Sequence, residues 1–419
     1  MKLSFNSVFS LFLVFSFQLT SCAQPQKSTE NKQEPIQKEE PKTIKTGADR
    51  TTAYLPLLKN KNIAIVANQT SVLQVLQRAE VAPNIMGSKM VQHHLVDYLH
   101  NYEGINVQKV FAPEHGFRGK ADAGEAIADG KDIKTGIPII SLYGKNKKPS
   151  PEQLNEIDVV VFDIQDVGAR FYTYISTLHY VMEACAEANI PVILLDRPNP
   201  NGHYIDGPML EPEHTSFVGM HPIPVVYGMT IGEYGRMING EKWLANEAKC
   251  DLTVITLENY THQSTYSLPI KPSPNLPNDV SINLYPSLCF FEGTNVSAGR
   301  GTDKQFQIYG SPYLEKTGFS FTPQPNEGAK HPKYKGELCF GEDLSTHNRL
   351  TNLDLSWLKK AYEQSPKKDF FNAFFTKLAG TKKLQEQIEQ GLSEKEIKAS
   401  WQQGLNDFKK VREEYLLYE

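Results

Sequence analysis

Glu114 stands in the run Ala112-Pro113-Glu114-His115-Gly116, where proline stiffens the approach and glycine lets the backbone bend sharply beyond it. A general acid working near neutral pH needs a carboxyl partly withdrawn from water, and the end of a buried strand is a place where a chain can set one. Spacing alone serves a second reading equally well, a surface-turn glutamate paired with Arg118 or Lys120. Glu292, in Phe291-Glu292-Gly293-Thr294-Asn295, either offers a second carboxyl to the same cleft or simply holds Arg300 of Gly299-Arg300-Gly301-Thr302. Asp163 is a third candidate, in a cluster with Gln165, Asp166, Arg170 and Tyr174. Paired carboxyl groups suit the cutting of a glycosidic bond: one protonates the leaving oxygen, and the other activates water or attacks carbon.

The elements that must position these groups are short, continuously apolar runs at 63–67, 107–112, 138–142, 159–164 and 191–195, the signature of strands buried on both faces. Helical stretches are expected at 88–101 and 174–189, and in the second of these Ile175, Leu178, Met182 and Cys185 form one apolar face. Strands alternating with helices imply βαβ units and a mostly parallel, Rossmann-like sheet. Thr230 is an expected N-cap for a helix over 231–244, followed by a strand at 251–257. Beyond 257 the chain turns rich in Pro, Gly, Ser and Asn, with a strand-like piece at 288–291, and after 355 it becomes helical. Its last helix should carry Ile397, Trp401, Leu405, Phe408 and Val411 on one stripe. The expected architecture is a catalytic α/β domain over 51–257, a smaller α+β auxiliary domain over 258–419, and a cleft between them.

Ligands of open parallel α/β sheets bind beyond the carboxyl ends of the strands. Here those ends carry Asn68 and Gln69, Glu114 and His115, Tyr143, then Asp163, Gln165 and Asp166, then Asp196 and Arg197. The long loop after Glu114 carries Arg118 and adds the acidic pair Asp122 and Glu125, which are fitted to sugar hydroxyls or, less favourably, to a cation with His115.

Formal net charge is −4, which points to no polyanionic partner, and no nucleic acid is expected. There is no C-x-x-C or H-E-x-x-H for a metal, no G-x-G-x-x-G or G-x-x-x-x-G-K-[ST] for a nucleotide, and no G-x-S-x-G for a serine hydrolase. No metal or cofactor is therefore expected. Met1-Lys2, a nearly uncharged stretch over 3–19 and Leu19-Thr20-Ser21-Cys22 read as a signal peptide, 1–21, with a lipobox-like end. Cys22 would carry lipid, residues 22–50 would form a disordered tether, and the protein would be exported and held to a membrane by that anchor alone. Cys185 and Cys289 fall in apolar runs and read as buried thiols.

Several segments together resemble the NamZ-type exo-β-N-acetylmuramidase family: Ala67-Asn68-Gln69-Thr70, Pro113-Glu114-His115-Gly116-Phe117-Arg118-Gly119, Asp122-Ala123-Gly124-Glu125, Ser141-Leu142-Tyr143-Gly144 and the run from Phe162 to Tyr174. The likeness continues through Asp196-Arg197-Pro198-Asn199-Pro200, His221-Pro222-Ile223-Pro224-Val225, Pro272-Ser273-Pro274-Asn275 and Glu292-Gly293-Thr294-Asn295. The resemblance implies a Rossmann-like domain with an auxiliary domain. It also implies release of terminal β-1,4-linked N-acetylmuramic acid from the non-reducing end of peptidoglycan fragments, with Glu114 as the leading catalytic residue. The chain departs from the pattern at Asn201-Gly202-His203, where relatives are richer in glycine. Muramic acid carries a lactyl carboxylate, which arginine forks onto well, so at least one of Arg118, Arg170, Arg197 and Arg300 is expected to bind it. Asn275 and Asn295 complete the expected substrate contacts. The rival readings are a hydrolase of another acidic sugar or wall bond, and a non-catalytic binding protein for wall fragments.

Overall fold

The computed structural model describes residues 43–82, 85–118, 129–316 and 318–419. Its strands are β1 (Lys61–Ala67), β2 (Val72–Ala82), β3 (Ile85–His94), β4 (Ile105–Ala112), β5 (Gly130–Lys131), β6 (Pro138–Ser141), β7 (Val159–Asp163), β8 (Val192–Leu195), β9 (Leu252–Ile255), β10 (Ile308–Ser311), β11 (Ser320–Phe321) and β12 (Cys339–Asp343). The helices are α1 (Thr51–Leu58), α2 (Leu95–His100), α3 (Pro151–Leu154), α4 (Tyr174–Ala188), α5 (Ile231–Gly240), α6 (Asp279–Leu288), α7 (Ser356–Gln364), α8 (Phe375–Ala379), α9 (Lys383–Glu389), α10 (Glu394–Ala399) and α11 (Gln402–Glu413).

Seven strands form one sheet in the order β5-β6-β4-β1-β7-β8-β9, parallel throughout except for β5 at the edge. Successive side chains of a strand point to opposite faces, and β1 shows the result. Ala64 and Val66 enter one buried cluster with Val160, Phe162 and α4, while Ile63, Ile65 and Ala67 enter another with Val161, α1 and α2. Both faces are therefore covered, which is why the strands read as unbroken apolar runs. A separate antiparallel sheet, β10-β12-β11, lies in the second half of the chain.

The helix expected over 88–101 begins only at Leu95. Residues before it are β3, paired with β2 in a long antiparallel hairpin whose register runs from Val72 opposite His94 to Ala82 opposite Ile85. Cross-strand pairing here overrides the helical expectation for this segment. The strand expected at 288–291 is the end of α6 and a 3-10 turn, Cys289–Gly293, in which Phe290 and Phe291 are buried. α5 stops at Gly240, short of 244, because Lys242 adopts a left-handed φ of 56°. Its start is as expected: the Thr230 hydroxyl accepts from the Glu233 amide, and the Glu233 carboxylate accepts from the Thr230 amide. The final stripe is divided between α10 and α11, with Ile397, Trp401, Leu405 and Phe408 buried.

Two boundaries shift. The end of the expected tether is part of the fold: Lys45 bridges Glu258, and the Gly47 amide donates to the Asp196 carbonyl at 2.8 Å. A Cβ on Gly47 would fall 2.4 Å from the Ile255 carbonyl oxygen, so only glycine fits that approach. Nor does the core part at residue 257. Thr43–Glu419 is one compact unit, and a single buried cluster runs from Ala64 through α4 and α6 to Phe408. Cys185, Cys250, Cys289 and Cys339 are buried free thiols.

Candidate active site

A cavity of about 490 Å3 opens at the carboxyl ends of β4 and β6, a size typical of small-molecule sites. Glu114 and His115 follow β4, and Tyr143, Gly144 and Lys147 follow β6. Phe171, Tyr172 and Thr173 come from the approach to α4, and Phe217 and Val218 from a later loop. The second half of the chain supplies Ser273, Asn275, Leu276, Tyr285, Cys289, Glu292, Arg300, Phe306, Phe374 and Leu378. Both halves thus wall one pocket.

The bend that presents Glu114 is severe, with φ of 69° at His115 and 76° at Gly116. A non-glycine residue in that region is uncommon and needs surrounding structure to hold it there. Thr173 occupies the N-cap of α4 but makes no side-chain cap; its hydroxyl instead donates to Glu114 Oε2 at 2.7 Å. Glu292 sits in the 3-10 turn after α6. Arg300 Nη1 donates to Glu292 Oε1 at 2.7 Å, and Nη2 to the Gly328 carbonyl at 3.2 Å. On the other carboxylate oxygen Glu292 faces the Cys289 thiol at 3.7 Å, whose pKa burial pushes well up, so that it stays a neutral, weak donor. Glu292 and Arg300 also line a second cavity of about 450 Å3, with Ser297, His331 and Lys333. Two carboxyl groups from distant parts of the chain therefore meet one cavity, each fixed by its own partner.

Of the other sequence-predicted residues, His115, Tyr143, Asn275 and Arg300 line this cavity. The others that are described lie outside its lining and are bonded elsewhere in the fold. Asp163 and Arg197 form a buried ion pair, Nε to Oδ1 at 2.6 Å and Nη2 to Oδ2 at 2.9 Å, and neither reaches the pocket. Arg170 is fully buried and donates to the carbonyls of Pro208, Ile223, Leu378 and Ala379 at 2.7–3.0 Å, with no bond to Asp166. Arg118 pairs with Asp132 and Asp97. Asn68 bonds Tyr174, Gln69 bonds the carbonyls of Lys271 and Pro272, and Gln165 those of Asp166 and Pro198. Asp196 accepts from Thr230, Gly232 and Tyr418. Asn295 lies outside the lining, its amide bonded to the Phe370 carbonyl. Asp122 and Cys22 lie outside the described residues. The crevice at the switch of strand order, between β1 and β7, is thus filled by the chain's own hydrogen bonds, and the open pocket is displaced toward β4 and β6.

Asp166 is the clearest of these buried carboxyls. Its Oδ2 accepts from the Gly168 amide at 2.7 Å and from Tyr227, while Oδ1 has no partner among the described residues. Burial pushes its pKa up to about 6, against about 4 for an unfolded aspartate. The folded state consequently binds this proton more tightly. Its stabilising contribution is full below pH ~4 and is lost as pH rises through about 6. Asp166→Asn, which mimics the protonated acid, should flatten that decline. Denaturation midpoints at pH 4.5 and 7.5 test this, and an undiminished difference in the variant would refute it.

Thr173, Lys147 and Phe217 were missed in the sequence. Thr173 reads as an ordinary helix start, Lys147 belongs to the solvated-looking Lys145-Asn146-Lys147-Lys148, and no spacing ties Phe217 to either.

Comparison with known proteins follows the same outline. Profiles described as "Exo-beta-N-acetylmuramidase NamZ, N-terminal" and "Exo-beta-N-acetylmuramidase NamZ, C-terminal" match residues 63–280 and 283–418. The peptidoglycan beta-N-acetylmuramidase NamZ of Bacillus subtilis (strain 168) is 38% identical over 404 residues, covering 90% of this chain and 91% of that protein. Two crystal structures of DUF1343 family proteins from Bacteroides fragilis share the fold. One has TM-score 0.79 at 45% identity and the other 0.73 at 27%, each covering 90% of this chain and 99% of its own.

Proposed function

The chain belongs to the NamZ exo-beta-N-acetylmuramidase family, and on that footing we propose that Glu114 and Glu292 are the carboxyl pair with which it works. The protein is an exo-acting glycosidase of peptidoglycan that releases N-acetylmuramic acid, and in this reading it takes terminal β-1,4-linked residues from the non-reducing end of wall fragments. The observation that carries the assignment is the convergence of both carboxyl groups on one cavity, with Thr173 holding the first and Arg300 the second.

In this reading Glu114 donates its proton to the bridging oxygen as the bond to C1 breaks, and the remaining glycan departs as an alcohol. Positive charge develops on the sugar ring. Glu292, held in place by Arg300, stabilises that charge, and water adds to C1 as its proton passes to a carboxylate. Incubation with a muramyl-glucosamine disaccharide should yield free N-acetylmuramic acid. Intact disaccharide after prolonged incubation, with tight binding retained, would instead favour capture of wall fragments without turnover.

Export and anchoring belong to the same reading. Leu19-Thr20-Ser21-Cys22 supports cleavage before Cys22 and lipid attachment to its thiol, which would place the enzyme on a membrane facing the wall. Among the described residues no helix is long and apolar enough to cross a membrane. Cys22→Ser should abolish incorporation of labelled fatty acid, and a variant that still takes up label would remove the proposal.

A further inference from the structure

The chemistry of a muramide leaves one requirement unmet by the residues described so far, a cation for the sugar's lactyl carboxylate. Arg118, Arg170 and Arg197 are outside the cavity and bound elsewhere. Arg300 is in it, but its guanidinium is already matched to Glu292 and to the Gly328 carbonyl. One further cation lines the same cavity. Lys147 is half-buried, and its ammonium lies 4.5 Å from the centre of the Phe217 ring. It makes no ion pair among the described residues. The aromatic face steadies the positive charge without neutralising it.

The setting is also well fixed. Phe217 stacks on Tyr180 with ring centres 6.2 Å apart and meets Tyr143, itself a lining residue. On the near side of Lys147, Asn146 donates to the Ser141 carbonyl at 3.1 Å. On the far side, Lys148 is bound by Glu183 and Glu187. A loop pinned on both sides holds its cation where an incoming carboxylate finds it already placed.

We propose that Lys147, braced on Phe217, receives the sugar-borne carboxylate and sets the preference for muramides over sugars lacking that group; this rests on the muramidase reading above. Lysine suits the task because the ether-linked carboxylate is flexible and a compact point charge does not demand fork geometry.

The test uses the whole enzyme with two aryl glycosides of N-acetylmuramic acid, one with the free lactyl carboxyl and one with it converted to a neutral carboxamide. The wild type should favour the acid by at least about tenfold in kcat/KM, chiefly through KM. Lys147→Met should bring the ratio close to one by lowering kcat/KM for the acid far more than for the amide, and Lys147→Arg should restore part of the preference. A ratio unchanged in Lys147→Met, or an equal fall for both substrates, overturns the assignment. Should the wild type cleave neither glycoside, the muramidase reading fails on its own account. Calorimetric binding of the two free sugars then decides the role of Lys147, and equal loss of affinity for both in Lys147→Met overturns it.

Discussion

Glu114→Gln should leave a folded protein that still binds muramyl saccharides but releases N-acetylmuramic acid at least about a hundredfold more slowly. The amide keeps the shape of the side chain, and its carbonyl still accepts the Thr173 hydroxyl that now lies 2.7 Å from Oε2. What it loses is the proton. A sugar alcohol departs poorly without protonation, whereas an activated aryl group leaves more readily, so the deficit should shrink as the leaving group becomes more acidic. That dependence separates an acid from a residue that merely shapes the pocket. A variant within tenfold of the wild type on the disaccharide, or one equally impaired on every leaving group, would exclude Glu114 as the acid.

Arg197→Met should act on the fold rather than the chemistry. It removes the partner of a carboxylate, Asp163, that has no exposed surface, and the donor to the Val72 carbonyl at 2.8 Å. Breaking a buried pair from one side costs roughly 3–5 kcal/mol, which in a protein of this size lowers Tm by roughly 4–6 °C. The double variant Asp163→Leu with Arg197→Met should recover much of the loss, because no buried charge is then left alone. If the single variant kept its Tm and lost only activity, the pair would have to be moved from the scaffold to the reaction.

The parallel sheet was legible because its strands are buried on both faces and so apolar throughout, and the strand-end rule led directly to Glu114. β2 and β3 were not, since a two-stranded hairpin with one exposed face shows neither a long apolar run nor a clean alternation; Leu76 and Met90, opposite one another, are both largely exposed. The arginines misled for a different reason. A guanidinium suited to a carboxylate is equally suited to backbone carbonyls, and Arg170 spends its donors on four of them. Thr173 and Lys147 enter the site through contacts between segments far apart in the chain, which periodicity within a segment cannot reveal.

Arg170 also limits how the gene can be recombined. Its four carbonyl partners lie in two separate regions, at Pro208 and Ile223 in the first half and at Leu378 and Ala379 in α8, and Leu378 walls the pocket as well. Each acceptor left without its donor costs about 1–3 kcal/mol. A chimaera that crosses over near residue 280 must therefore inherit a second half whose backbone meets this guanidinium in register. Substrate preference among relatives would then have to be exchanged by point changes on the pocket wall rather than by trading whole lobes.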